Sequence, residues 1–361
     1  MKLRFVTSTP QNILEGSGTF AGISTLRRAL EGLGVEIEMS APARRWPSLT
    51  GQRLWFNHRL STETDCDATV GFDMDGYRIA GRSRVPHIAS IKGVIADEML
   101  HERGLTRRLL GIQADCERQH VRRASMVLTT SQYAAERLRQ LYGIPAVQSI
   151  VPEPIDLASW RELFRRHTVA ADPSRFVVLC VCRFYPRKRV QLLIGAAARL
   201  RDRIPGLEVR IVGRGPEESR LHRLAEQLRI GETVRWLGDI SQADLAAEYT
   251  GADLFCLPSV QEGFGIVFLE AMAAGKPIVA ARASAVPEVV AQGLLVDPDN
   301  EEALAAGIER LYRDGDLRRR LADQGLARVE QFDAPRVAAR FAEEVGRAIA
   351  RIRRSVVVSR G

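Results

Sequence analysis

The chain has 361 residues, 45% hydrophobic and 27% charged, with a formal net charge of +8 and a pI near 9.6. Such a balance excludes disordered and fibrous classes, and the length suits two domains with a core each. No apolar run reaches the ~18 residues of a membrane span, and Met1-Lys2-Leu3-Arg4 leads into too few apolar residues for a signal peptide, so a cytoplasmic protein is expected. Five cysteines (Cys66, Cys116, Cys180, Cys182, Cys256) lack metal-ligand spacing and predict buried thiols in a reduced compartment. The positive excess is spread along many helices, with few Trp and Tyr and no aromatic-basic RNA motif, so nucleic acid is not the expected partner. A diphosphate ligand, an anionic acceptor or an acidic membrane face would each suit it.

In chain order, Leu3 to Thr7 predicts a buried strand, followed by a glycine loop with Gly16 and Gly18. Phe20, Ile23, Leu26, Leu30 and Leu33 then recur at helical spacing up to Gly34. This opening suits a dinucleotide-type fold, and both glycines would let backbone approach an anionic ligand. The third glycine of the dinucleotide fingerprint is missing. Val35–Met39 is a second strand, with Glu36 and Glu38 inside it rather than at its end. Ala68–Phe72 and His87–Ile91 predict further strands. The loop after the second carries Lys92, Gly93, Asp97 and Glu98, where open α/β sheets place ligands. A helix over Leu109–Arg123, a strand over Met126–Thr130, a helix over Tyr133–Tyr142 and a strand over Val147–Val151 complete a first domain, 1–160. Pro152-Glu153-Pro154-Ile155-Asp156 reads as a boundary.

The pattern restarts with a strand at Phe176–Cys182, and its loop holds Arg183, Pro186, Arg187, Lys188 and Arg189. Strands follow at Glu208–Val212, before Gly213-Arg214-Gly215-Pro216, and at Thr233–Leu237. Asp253–Pro277 then reads as buried strand (Leu254–Leu257), tight loop (Pro258 to Gly265) and buried helix (Ile266–Ala274) closed by Gly275. Such a unit points backbone N–H groups and a helix's positive end at one place, ready for phosphate or sugar oxygens. Glu270 is the one polar residue of that helix, so it needs a partner or a cavity. Strands at Pro277–Ala281 and Leu294–Val296 and an Arg-rich helical end complete a second domain, 161–334. The fold class is α/β: two Rossmann-like, doubly wound parallel-sheet domains facing an interdomain cleft.

Arg183-x4-Lys188 together with Glu262-x7-Glu270 resembles the retaining glycosyltransferases of family 4, the glycosyl transferases group 1. Gly16-x-Gly18, Gly213-x-Gly215-Pro216, Leu257-Pro258-Ser259 and Gly275-Lys276-Pro277 fit the same family, over nearly the whole chain. The resemblance implies a GT-B architecture and a nucleotide-diphosphate sugar as donor, UDP- or GDP-linked, with no cofactor and no metal. It implies catalytic roles for Arg183, Lys188 and Glu262, with cations on the departing diphosphate. Gly16, Gly18, Gly213, Gly263, Phe264, Gly265 and Ile266 would bind the donor, and Glu270 the ribose hydroxyls. Transfer would retain configuration through a front-face, oxocarbenium-like displacement. The family's histidine before glycine is here Lys92-Gly93, so Lys92 and Asp97 are the acceptor-side candidates, for an acceptor of unknown and potentially anionic class. Val151-Pro152-Glu153-Pro154-Ile155-Asp156 and Ala283-Ser284-Ala285-Val286 also depart from the family pattern. A sugar-nucleotide epimerase or a phosphorylase shares the architecture and is the alternative. The amphipathic tail Phe341–Arg354 could lie on the inner membrane face. The resemblance instead favours a helix over about 335–354 packing back on the first domain.

Overall fold

A computed structural model describes residues 1–9, 18–42, 46–144, 147, 149–170 and 172–358, the last seven of these as backbone. The chain divides into two compact units, Met1–Ile155 with Phe332–Gly361, and Asp156–Gln331.

The first unit runs β1 (Lys2–Val6), α1 (Gly18–Gly32), β2 (Glu36–Ser40), α2 (Leu49–His58), β3 (Ala68–Phe72) and β4 (His87–Ile91). It continues with α3 (Ile95–Met99), α4 (Gly104–Arg123), β5 (Met126–Thr129), α5 (Gln132–Tyr142) and β6 (Ser149–Ile150). Its parallel sheet has the order β2-β1-β3-β4-β5-β6, which reverses between β1 and β3. β3 and β4 are buried at every position, as strands covered on both faces must be.

The second unit runs α6 (Leu157–Arg166), β7 (Phe176–Val181), α7 (Val190–Leu200), β8 (Leu207–Val212), α8 (Glu218–Gln227), β9 (Val234–Gly238), α9 (Gln242–Gly251) and β10 (Leu254–Leu257). Then come α10 (Ile266–Ala273), β11 (Ile278–Ala281), α11 (Val286–Val289), β12 (Leu294–Val296), α12 (Glu301–Arg313) and α13 (Gly315–Val329). Its sheet order, β12-β11-β10-β7-β8-β9, is again parallel and reverses between β7 and β10. Ligands of such open sheets lie outside the carboxyl ends of the strands at that reversal.

From the second unit the chain returns to the first through α14 (Ala334–Val358), which packs on α1. Phe341 stands 6.2 Å from Phe5, whose ring in turn lies 5.0 Å edge-on to Phe72. Val337, Ala338, Val345 and Ile349 join the same cluster, so the apolar face of this amphipathic helix lies in the core. Among the described residues no helix is long and apolar enough to cross a membrane.

Several elements differ from expectation: α6 and α11 were not foreseen, and Asp97 and Glu98, expected in a loop, lie in the short helix α3. Of the strand foreseen at Val147–Val151, Gln148 lies outside the described residues, and Ser149–Ile150 form the strand that pairs with β5 at the sheet edge. The helix α2 is not legible at all from apolar spacing. Its buried positions are Thr50, Gln52 and Asn57, while Leu49 and Trp55 are exposed. It is held by polar contacts and by Ser48, whose Oγ accepts from Gly51 N at its start.

Phe341→Ala is expected to destabilise the protein by about 3–5 kcal/mol, the usual cost of emptying a fully buried aromatic site. Urea unfolding followed by circular dichroism reads this directly. A midpoint unchanged from wild type would show that α14 is not part of the folding core.

Candidate functional site

The loops after β7 and β10 meet at the point where the strand order of the second unit reverses. After β7 the chain makes a single 3₁₀ turn, Pro186–Lys188, and Arg189 takes a left-handed conformation (φ 53°) before α7. After β10 it reaches Gly265, whose φ of 93° suits glycine, before α10. Val260 N donates to Arg187 O at 2.9 Å and joins the two loops through backbone. Across the junction Lys188 Nζ lies 2.6 Å from Glu262 Oε1, with side chains only 14% and 8% exposed. Glu262 is fixed from behind, since its N–H donates to Ser284 Oγ at 2.9 Å.

The other cations of the 183–189 run have separate partners. Arg189 pairs with Asp299 at 2.6 Å, and the Arg187 guanidinium lies 4.7 Å over the Tyr185 ring. Arg183 is half exposed and reaches Asp239 at 3.3 Å. Lys188 is therefore the cation turned inward. The glycines after β8 brace this arrangement from the side. A Cβ on Gly213 would sit 2.0 Å from Cys182 O, and one on Gly215 2.5 Å from Phe184 N. Both positions are glycine because the β8 loop packs on the backbone that carries Arg183, a demand separate from any contact with ligand.

The helix starts at this edge are open. α7, α8, α10 and α11 have no side-chain N-cap, whereas Ser241 caps α9 and Asn300 caps α12. Uncapped helix starts present backbone donors and the positive end of the dipole to an anion. Ser259 is fully buried, and among the described residues its Oγ has no hydrogen-bond partner. An orphaned hydroxyl at such a junction is a place for a ligand or an ordered water to complete.

Glu270 finds the partner that its helix requires. Tyr249 Oη on α9 donates to Oε2 at 2.8 Å. Burial raises the Glu270 carboxyl from its ordinary 4.5 to about 7, and the tyrosine bond only partly opposes this.

The corresponding reversal in the first unit, at the ends of β1 and β3, is filled by a polar network. Asp75 accepts from Ser8 N, Ser8 Oγ and Asn57 Nδ2, at 2.6 to 2.9 Å. Asp73, with φ 53°, accepts from the backbone of Lys92 at 2.8 Å, and burial raises its carboxyl to about 6 against the nearby Arg53 charge. Asp73-Met74-Asp75 is thus a hydrogen-bond hub. Lys92 Nζ lies 3.1 Å from Glu153 Oε2, both buried, and Asp97 accepts from Tyr133 Oη and Arg137 Nε, each at 2.7 Å. Each acceptor-side candidate thus has its own partners. Gly18 begins α1 with open space where a Cβ would be, and Gly16 lies outside the described residues.

Sequence reasoning missed Arg53 and Asn57, which lie on α2 and reach residues 18 to 60 positions away. It also missed Tyr249, although a tyrosine between two apolar strands is a usable signal.

The raised Glu270 carboxyl sets a pH dependence. Between about pH 4.5 and pH 7 the folded chain binds more protons at this group than the unfolded chain. The stability it contributes is full below pH 4.5 and lost as pH rises through 7. Glu270→Gln is expected to flatten that part of the profile. Urea midpoints at about pH 5 and about pH 8 check this, and an unchanged slope would refute it.

Residues 164–328 match the family model described as Glycosyl transferases group 1. The chain is similar to a GDP-mannose-dependent alpha-(1-6)-phosphatidylinositol monomannoside mannosyltransferase of Mycobacterium tuberculosis (strain CDC 1551 / Oshkosh). The two are 31% identical over 256 residues, 66% of this chain and 63% of that protein. It is also similar to a D-inositol 3-phosphate glycosyltransferase 2 of Catenulispora acidiphila, 35% identical over 271 residues, 69% of this chain and 61% of that one. The chain therefore spans less than two thirds of the length of these relatives. Among solved structures, sucrose-phosphate synthase from Thermosynechococcus elongatus shares the fold with a TM-score of 0.81 at 21% identity, over 97% of this chain and 99% of that one. The fold is GT-B, and residues 164–328 carry a glycosyl transferases group 1 domain.

Proposed function

We propose that the protein is a retaining, metal-independent glycosyltransferase that moves a sugar from a nucleoside-diphosphate sugar to an acceptor hydroxyl. The observation that carries this reading is the largely buried Lys188–Glu262 pair, set at the reversal of the second sheet beside uncapped helix starts. Departure of a nucleoside diphosphate builds negative charge, and fixed cations with aimed backbone donors stabilise it without reorganising. Lys188 serves that charge from inside the junction and Arg183 from its exposed side. Glu262, with the backbone of Gly263, Phe264, Gly265 and Ile266, holds the transferred sugar. Glu270 accepts from the ribose hydroxyls, and Gly213 keeps the Arg183 loop in place.

On the acceptor side, Lys92 and Asp97 act as fixed charges, since Lys92 already pairs with the buried Glu153 and Asp97 with the partly exposed Arg137. Phosphatidylinositol monomannoside and inositol phosphate stand in the names of the relatives, and both are phosphate-bearing polyols. A similar anionic acceptor suits a chain of net charge +8. GDP is the favoured donor nucleotide, from the mannosyltransferase relative, with UDP the other choice. A cytoplasmic protein touching the inner face of an anionic membrane completes the reading.

Lys188→Ala is expected to lower turnover by about 10²- to 10³-fold, the effect of removing one preorganised charge donor. Glu270→Ala should weaken binding of GDP or UDP. Isothermal titration calorimetry of each nucleotide, with donor hydrolysis followed by NMR, reads both effects. Unchanged values in both variants would sink the proposal. Product of inverted anomeric configuration, or loss of activity in EDTA, would overturn the retaining and metal-free parts separately.

A further inference from the structure

The donor-site loops occupy the carboxyl ends of β7 and β10. Near the opposite ends of the same strands the second unit has a cavity of about 320 Å³. Its walls come from Val177 in β7, from Asp253 just before β10, from Gly275 to Pro277 just before β11, and from α13. That volume is at the lower end of small-molecule sites, which run from about 300 to 1,000 Å³.

The charge of this cavity is lopsided. Arg175, Arg210, Lys276, Arg318 and Arg319 line it against Asp172 and Asp253. Three of the cations are matched by carboxylates: Arg175 by Asp172 and Glu208, Arg210 by Glu208 and Glu248, and Arg319 by Asp316. Asp253 accepts from Val177 N at 2.8 Å. Lys276 and Arg318 are different. Lys276 Nζ donates to Thr250 O at 2.9 Å, at the carboxyl end of α9. Arg318 Nη1 donates to Leu311 O at 2.7 Å and Tyr312 O at 3.2 Å, in the last turn of α12, with its guanidinium 5.5 Å from the Phe176 ring centre. Among the described residues neither has a carboxylate within ion-pair distance.

Two full positive charges thus face two helix carboxyl ends, each worth about half a negative charge. The Asp253 carboxylate in the same wall offsets the remaining charge, so what sets Lys276 and Arg318 apart is the lack of an ion pair of their own and not a net surplus. Burial lowers the Lys276 pKa, and the nearby Asp253 carboxylate opposes this in part. The rest of the wall is small and apolar, with Val169, Ala170, Pro277 and Ala322. Gly275 ends α10 in a left-handed turn (φ 64°), Lys276 N donates to Ala271 O at 2.9 Å to close the same helix end, and Pro277 leads into β11, so the backbone of all three has a local role and only the Lys276 side chain is left to face the cavity. We propose that this cavity is a second binding site, remote from the donor loops, for a phosphate monoester on a sugar- or polyol-sized body, its phosphate held by Lys276 and Arg318. This site is independent of the donor reading.

The test is isothermal titration calorimetry on the full chain, with inorganic phosphate and glucose 6-phosphate as probes. Glucose 6-phosphate is expected to bind wild type more tightly than phosphate does. Its affinity should fall about tenfold or more in Lys276→Gln and in Arg318→Gln, return in Lys276→Arg, and persist in Lys188→Ala. If one glutamine variant does not fold, the other supplies the same comparison, with the urea midpoint as control. Binding that survives both glutamine variants, binding lost in Lys188→Ala, or no binding of either probe overturns the proposal.

Discussion

The Lys188–Glu262 pair is the constraint on which the second unit's functional edge depends. Glu262 is buried and Lys188 largely so, and taking two charges out of water is costly unless geometry and neighbours are fixed. They are fixed here. The backbone bond from Val260 to Arg187 holds the β7 and β10 loops in register, and Ser284 holds Glu262 from the β11 side. Removing either partner alone would strand a buried charge, at about 3–5 kcal/mol. The pair is therefore poorly explained as a stabilising device, because an apolar pair of similar volume would serve stability as well or better. A buried ion pair at the reversal of a parallel sheet makes better sense as charge held ready for a ligand.

The first unit treats the equivalent reversal differently. There the ends of β1 and β3 are filled by Asp75, Asn57, Ser8 and Arg53, each satisfied by another polar group. Asp73 keeps its left-handed backbone because Lys92 and Gly93 N–H groups both donate to its Oδ1. A satisfied network of this kind rigidifies a loop. The uncapped helix starts of the second unit leave donors aimed outward instead. The same topology has thus been used once to fix a loop and once to expose charge.

This contrast explains what was legible in the sequence. The strands of the second unit are legible because they are short apolar runs, with Gly or Pro to end them as after Leu254–Leu257. The Lys188–Glu262 contact spans 74 residues and leaves no local pattern; only the family resemblance grouped the two residues. α2 was invisible because its inner face is Thr50, Gln52 and Asn57, so no apolar periodicity marks it. The identities of Gly213 and Gly215 were visible, but the close approach to Cys182 and Phe184 that demands them was not. Side-chain pairing between distant loops, such as Lys92 with Glu153, leaves no trace in local pattern.

Glu270 brings these strands of argument together. As the lone carboxylate of α10 it had to be either a satisfied core group or a ligand group, and the contact with Tyr249 taken alone favours the core. The inventory of lone pairs argues otherwise. An ionised carboxylate accepts about four hydrogen bonds, and the tyrosine takes one of them. Part of the residue also remains accessible. A purely structural role would favour glutamine, which accepts from Tyr249 equally well and avoids burying a charge that already shifts the carboxyl to about 7. Keeping a carboxylate there makes physical sense if its remaining acceptors are to be used by hydroxyl donors. Tyr249 then acts as a positioning residue, fixing one oxygen so that the other is presented in a single orientation.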